Sequence, residues 1–136
     1  MRVRSLSFFE RRTLARDRAL VQRLLGSNCL GRDEHDLPKL QRLLAAPLSE
    51  DELIGLGTAF GDVLANELGL TWVLATDDVG PDHALQAQPK HVFVFPRSML
   101  IKRILRGELP TSIDLAFMLS EIRATVAEEC TGAATS

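Results

Sequence analysis

Two adjacent carboxylates, Asp77 and Asp78, stand where an apolar run breaks into a turn. Carboxylates in such a place can bind a divalent cation or act as acid and base. A metal site needs more ligands, and neighbours on a strand point to opposite faces, so turn chemistry is the first expectation. A hydrolase with Asp77 as its base is a third-ranked alternative, because it needs a pocket and a second convergent titratable group. His35, His83 and His91 lack the short spacing of a zinc site. An antiparallel return of the chain would set His91 across from His83. Ser98 lacks the G-x-S-x-G frame of a nucleophile elbow. Cys29 and Cys130, about a hundred residues apart, are read as free thiols. No residue is assigned a catalytic or metal-binding role, and no motif calls for a cofactor.

Anion chemistry has two candidates. Gly55, Gly57 and Gly61 spell G-x-G-x-x-x-G, but inside a helical stretch rather than at a strand-to-helix turn, so they make neither a dinucleotide fingerprint nor a phosphate loop. Each glycine costs a helix about 1 kcal/mol relative to alanine, and close packing on the sheet is the expected compensation. The helix start at Pro96–Ser98, with Arg97 beside it, is the better anion site. Lys102, Arg103 and Arg106 follow along the same helix. Arg12, Arg16 and Arg23 in the first helix could meet nucleic acid. The chain has no tyrosine and no aromatic–basic interleaving, so nucleic acid is not an expected partner.

These groups must be positioned by a small set of elements. Residues 7–25 read as a basic helix, with Leu14, Val21 and Leu25 on one stripe. A polar loop follows, and Pro38 starts a short helix to Ala45 with Leu40, Leu43 and Leu44 inward. Ser49 and Glu52 form a capping box for a helix to Leu68, whose Leu53, Gly57, Phe60, Gly61 and Leu64 share a face. Leu70–Thr76 is a strand covered on both faces, with Trp72 in the core. His83–Gln88 is a weaker strand near an edge, and His91–Phe95 is a third. Pro96 opens a helix that Gly107 closes. Thr111 or Ser112 caps the last helix, on which Leu115, Met118, Leu119, Ile122 and Val126 repeat. Residues 131–136 are read as a frayed tail.

At 136 residues, 46% hydrophobic and 25% charged, the chain reads as one domain, 1–136, with an ordinary core. No apolar run approaches the ~20 residues that span a bilayer, and charge interrupts the N-terminus before a signal peptide could form. A cytoplasmic protein without a membrane partner is expected. The net charge of −2 hides a split: residues 1–26 carry +5, 27–82 carry −8 and 83–136 carry +1. The basic first helix can dock on the acidic middle of its own domain or steer a charged partner.

The stretch Gly55–Glu108 resembles the bacterial family known as domain of unknown function 3806. The matching residues are Gly57-x-x-x-Gly61, Leu70-Thr71-Trp72-Val73 leading into Thr76-Asp77-Asp78-x-Gly80, and Phe95-Pro96-x-Ser98-Met99 with Lys102-Arg103-Ile104 and Gly107-Glu108. This family-like unit spans 49–108. The resemblance implies a small α+β domain and carries over no catalytic residue. The expected fold is α+β: N-terminal helices, a three-stranded antiparallel meander and two C-terminal helices. The expected function is a non-enzymatic protein-interaction module, possible as an immunity protein that neutralises a basic toxin through Asp77 and Asp78. The alternative is a small-molecule or anion-binding domain using Pro96, Arg97, Lys102 and Arg103.

Overall fold

Ser7 and Ser49 each open a helix with the same reciprocal device. The Ser7 hydroxyl accepts from the Glu10 amide while the Glu10 carboxylate accepts from the Ser7 amide, and Ser49 and Glu52 repeat the arrangement. The helices they start are α1 (Phe8–Leu25) and α3 (Glu50–Leu68), with α2 (Leu37–Leu43) between them. After α3 come β2 (Thr71–Thr76), β3 (Pro81–Gln86), β4 (Phe93–Val94), α4 (Pro96–Leu105) and α5 (Leu115–Thr135), and β1 (Arg2–Ser5) precedes them all. The computed structural model describes residues 1–26, 29–87 and 92–135, the last six as backbone alone. Among the described residues the fold is α+β, five α-helices on a four-stranded antiparallel sheet of order β1-β2-β3-β4.

Two expectations about the sheet are corrected. It has four strands, not three, because the basic N-terminus pairs with β2 from Arg2–Thr76 to Ser5–Val73. β1 is exposed along its whole length, so no buried alternation marks it. β3 is central, between β2 and β4, and not near an edge. Its His83 is buried because the ring Nε2 donates to the Glu10 carbonyl at 3.0 Å, which satisfies a polar group inside the core. The edge strand is β4, two residues long. Pro89, Lys90 and His91, and with them the expected turn and His83–His91 patch, lie outside the described residues, as do Ser27 and Asn28.

The helix α3 runs through the centre of the molecule. Every residue from Gly55 to Leu64 is buried, so the single inward face expected of it is corrected to burial all round. Phe60, Leu56 and Leu64 pack with Val21 of α1, Leu40 of α2, Leu85 of β3, Leu100 of α4 and Leu115 of α5. Its glycines serve two neighbours rather than the sheet alone. A Cβ on Gly61 would stand 2.7 Å from the Trp72 ring and 2.8 Å from the Pro96 Cβ, and one on Gly57 would overlap the Pro96 carbonyl oxygen. Val73, Ala75 and Ala84 form a second, small cluster with Phe93 and Phe95 on the other side of the sheet.

Two helix connections also differ from expectation. The last helix is capped by Asp114, which accepts from the Phe117 amide at 3.1 Å. Thr111 and Ser112 sit instead in a 3-10 turn, Pro110–Ser112. The polar loop after α1 folds around buried Asp36, which accepts from the amides of Gly31 at 2.9 Å and Arg32 at 2.8 Å. That ring holds Arg32 at φ 61, a left-handed conformation unusual outside glycine. The tail read as frayed falls on α5, whose backbone is helical to Thr135, and Ser136 lies outside the described residues. Among the described residues no helix is long and apolar enough to cross a membrane.

The β1–α1 junction carries a pH dependence. Arg4 donates to Glu10 at 2.7 Å. The hydrogen bond from Arg4, aided by those from Ser7, lowers the Glu10 carboxyl from 4.5 to about 2. A carboxylate depressed by folding contributes stability above its unfolded value and loses it as pH falls through the folded one. We expect carbon-detected NMR to give Glu10 a titration midpoint of about 2. The β1 amides should lose protection as pH drops from 4.5 toward 2. A midpoint at the ordinary glutamate value would overturn the assignment.

Candidate functional site

The sequence singled out Asp77, Asp78, Arg97, Lys102, Arg103 and Arg106, and the structure divides them. Asp77 closes the β2–β3 hairpin. Its carboxylate accepts from the Val79 amide at 2.8 Å and the Gly80 amide at 3.2 Å, so turn chemistry accounts for it. Asp78 is exposed at the tip beside Val79, which is 97% exposed. Asp77 and Lys102 line one hollow of about 240 Å³ together with Phe95. Lys102 also lines a groove of about 340 Å³ between α4 and α5, where Arg103 and Arg106 join it. The acidic turn and the cationic row are therefore neighbours on one flank, with Lys102 between them.

Met99, Met118 and Ile122 make the apolar lining of that groove. Arg103 is 3.5 Å from Glu108, while Lys102 and Arg106 are exposed and have no ion-pair partner among the described residues. The chain next to the groove exposes large apolar side chains: Leu105 is 80% exposed, Leu109 67% and Phe117 59%. Leu105 precedes Arg106, Leu109 follows Glu108, and Phe117 precedes Met118 of the groove lining. Methionines adapt such a floor to partners of varied shape.

Arg97 points elsewhere. Its Nε donates to buried Asp17 of α1 at 2.8 Å. Asp17 also accepts from the Thr58 hydroxyl of α3 at 2.5 Å. One turn along α3, Asp62 accepts from Arg18 Nε at 2.6 Å and from an Arg18 terminal nitrogen at 2.9 Å. Trp72 Nε1 donates to the same carboxylate at 3.1 Å. The Arg18 guanidinium is held further above its ordinary value, chiefly by the hydrogen bond to Asp62. These two carboxylates tie α1, α3, α4 and β2 together, and they answer the charge split: the basic first helix docks on the middle of its own domain. Sequence reasoning passed over Asp17, Arg18 and Asp62. The one signal was an aspartate among apolar positions of each helix.

The helix start at Pro96 is packed rather than open. Pro96 is buried against Gly57 and Gly61, and Ser98 bonds back to the Phe95 carbonyl at 3.4 Å. Among the described residues, no group of three or more His, Cys, Asp and Glu side chains is gathered to hold a metal ion. Cys29 is free and exposed.

A family model described as Domain of unknown function (DUF3806) matches residues 36–115, more than half of the chain. The chain belongs to the DUF3806 family. The DUF3806 match runs from the approach to α2 to the first residue of α5. It takes in Asp62, Trp72, Asp77 and the whole cationic row of α4, and leaves out α1 with Asp17 and Arg18. The resemblance first seen over Gly55–Glu108 thus covers a longer part of the domain. Among solved structures, a protein of Bacteroides thetaiotaomicron VPI-5482, determined at 1.50 Å resolution, is similar with a TM-score of 0.69 at 16% identity. The match covers 88% of this DUF3806 chain and 47% of that one. Identity at that level shows a shared fold alone, and this chain spans about half of that longer protein. Comparison with curated proteins finds no match.

Proposed function

We propose that this DUF3806 protein is a non-enzymatic protein-interaction module whose contact face is the α4–α5 flank. The supporting observation is that Lys102 and Arg106, without an ion-pair partner among the described residues, line a groove with Met99 and Met118, and that exposed Leu105, Leu109 and Phe117 lie near those residues in the chain. The partner is a protein segment that presents carboxylates to the cations and apolar side chains to the groove. Such complementarity raises the rate of encounter and selects among partners, and the apolar anchors supply the residence time. A basic partner, expected from the acidic turn, would meet Lys102, Arg103 and Arg106 on the same flank. A partner with an acidic face matches the larger share of that charge. An immunity protein masking a toxin is the narrower form of this reading and is tested by co-expression with the product of a neighbouring gene.

The discriminating experiment compares capture at low salt by the wild type, by Lys102→Glu with Arg106→Glu, and by Phe117→Ser. All three positions are exposed, so the variants keep the fold. One partner should bind the wild type and lose at least about tenfold in affinity to each variant. A partner held equally by all three, or no partner at low salt, rules out this face.

A further inference from the structure

Arg97 leads to a second site, away from the α4–α5 flank. A hollow of about 440 Å³ opens between α1, the first two turns of α3 and the start of α4. Arg16 and Arg23 enter it from α1 and Arg97 from α4. Arg16 and Arg23 are seven residues apart, about 10 Å along the helix axis. Both are exposed and neither has a hydrogen-bond or ion-pair partner among the described residues.

Arg97 is held differently. Asp17 takes its Nε, and Asp17 is itself anchored by Thr58, which is fully buried. The two terminal nitrogens of Arg97 carry no bond to another described residue. A guanidinium fixed from behind by a buried carboxylate loses little further freedom when a ligand takes its free edge. Leu20 and Ile54 provide an apolar wall, and Asp51 lies on the α3 side. Three guanidiniums against the carboxylates of Asp17 and Asp51 leave one excess positive charge in the lining.

We propose that this hollow binds a phosphate monoester, with the phosphate between Arg97 and the arginines of α1 and its carbon body against Leu20 and Ile54. A carboxylate presents a single edge of two oxygens to a guanidinium fork, whereas a phosphate monoester has three terminal oxygens and can meet two forks edge-on at once. The volume suits a small organic molecule. The carboxylate of Asp51 disfavours a second anionic group at the α3 end, which argues for a single phosphate. The site is independent of the α4–α5 flank, so either can fail without the other.

The probes are phenyl phosphate, inorganic phosphate and benzoate, titrated against the full chain while the arginine Nε–H signals are followed by NMR. Phenyl phosphate should saturate with a dissociation constant on the order of 1 mM and shift Arg97 together with Arg16 or Arg23. It should bind about fivefold tighter than inorganic phosphate, through its apolar ring, and tighter than benzoate. Arg16→Gln with Arg23→Gln, both at exposed positions, should weaken it at least about tenfold with an unchanged melting temperature. Lys102→Gln with Arg106→Gln should leave it unchanged. Sedimentation with phosphatidate vesicles separates two sources of the same group. Capture that depends on Arg16 and Arg23 assigns the phosphate to a lipid headgroup, and no capture assigns it to a soluble ester. Unsaturable shifts, equal affinity for benzoate, equal affinity for inorganic phosphate, or full binding by the α1 variant would each overturn the proposal.

Discussion

Replacing Asp62 with alanine should lower the stability of the fold by about 3 kcal/mol, the loss typical of a buried ion pair deprived of one partner. The Asp62 side chain is 6% exposed and that of Arg18 is 21% exposed, so solvent replaces the lost carboxylate only in part. The substitution strands the Arg18 guanidinium beside the core and leaves the Trp72 N–H without its acceptor. At about 3 °C per kcal/mol for a chain of this size, the melting temperature falls by about 9 °C. Trp72 is the only tryptophan, so its emission reports the same site directly and should change in the folded variant. Asp62→Ala combined with Arg18→Met should recover at least half of the loss, because no unpaired charge remains. A thermal melt of Asp62→Ala within 2 °C of the wild type, on the order of the ±0.5 kcal/mol of a neutral surface change, would show that the pair is dispensable.

Gly57→Ala carries a prediction whose sign separates two causes. Helix propensity alone would stabilise α3 by about 1 kcal/mol. Contact predicts the reverse, because the new methyl overlaps the Pro96 carbonyl oxygen and lies 3.3 Å from the Arg97 Cα. The obstacle is backbone at the start of a neighbouring helix, not the end of a flexible side chain, so relief requires α3 and α4 to separate. Overpacking of that kind costs up to about 3 kcal/mol. The net expectation is a loss of about 2 kcal/mol, read as a fall of about 6 °C in the melting temperature. A raised melting temperature would mean that the helices part freely at Gly57. Because Arg97 follows Pro96, the same variant should also disturb the Arg97–Asp17 hydrogen bond, visible as a shift of the Arg97 Nε–H signal.

What could be read from the chain was whatever neighbouring residues decide among themselves. The Ser49–Glu52 box, the stop at Gly69, the hairpin at Asp77–Gly80 and the helix start at Pro96 all stand where expected, because caps and turns satisfy backbone groups within four or five residues. The α+β class followed from the same local patterns, and the family from the resemblance over Gly55–Glu108. The sheet depended on longer range. β1 is four exposed residues with no pattern of their own, and only the edge of β2 makes them a strand. His83 looked like an edge residue because its acceptor, the Glu10 carbonyl, is 73 positions away.

The candidate sites divide in the same way. The sequence alone determined that Asp77, Asp78 and the cations of α4 were unexplained by helix ends or core. It could not decide that Lys102, Arg103 and Arg106 face α5 while Arg97, one turn earlier, turns to α1. That choice belongs to the tertiary structure, because it depends on which side of α4 meets α3 at Gly57 and Gly61. Asp17 and Asp62 gave no more than a weak signal, an aspartate among apolar helix positions, for the same physical reason. An aspartate in a helix is an ordinary surface residue until packing buries it, and only then must an arginine from another element be brought to meet it.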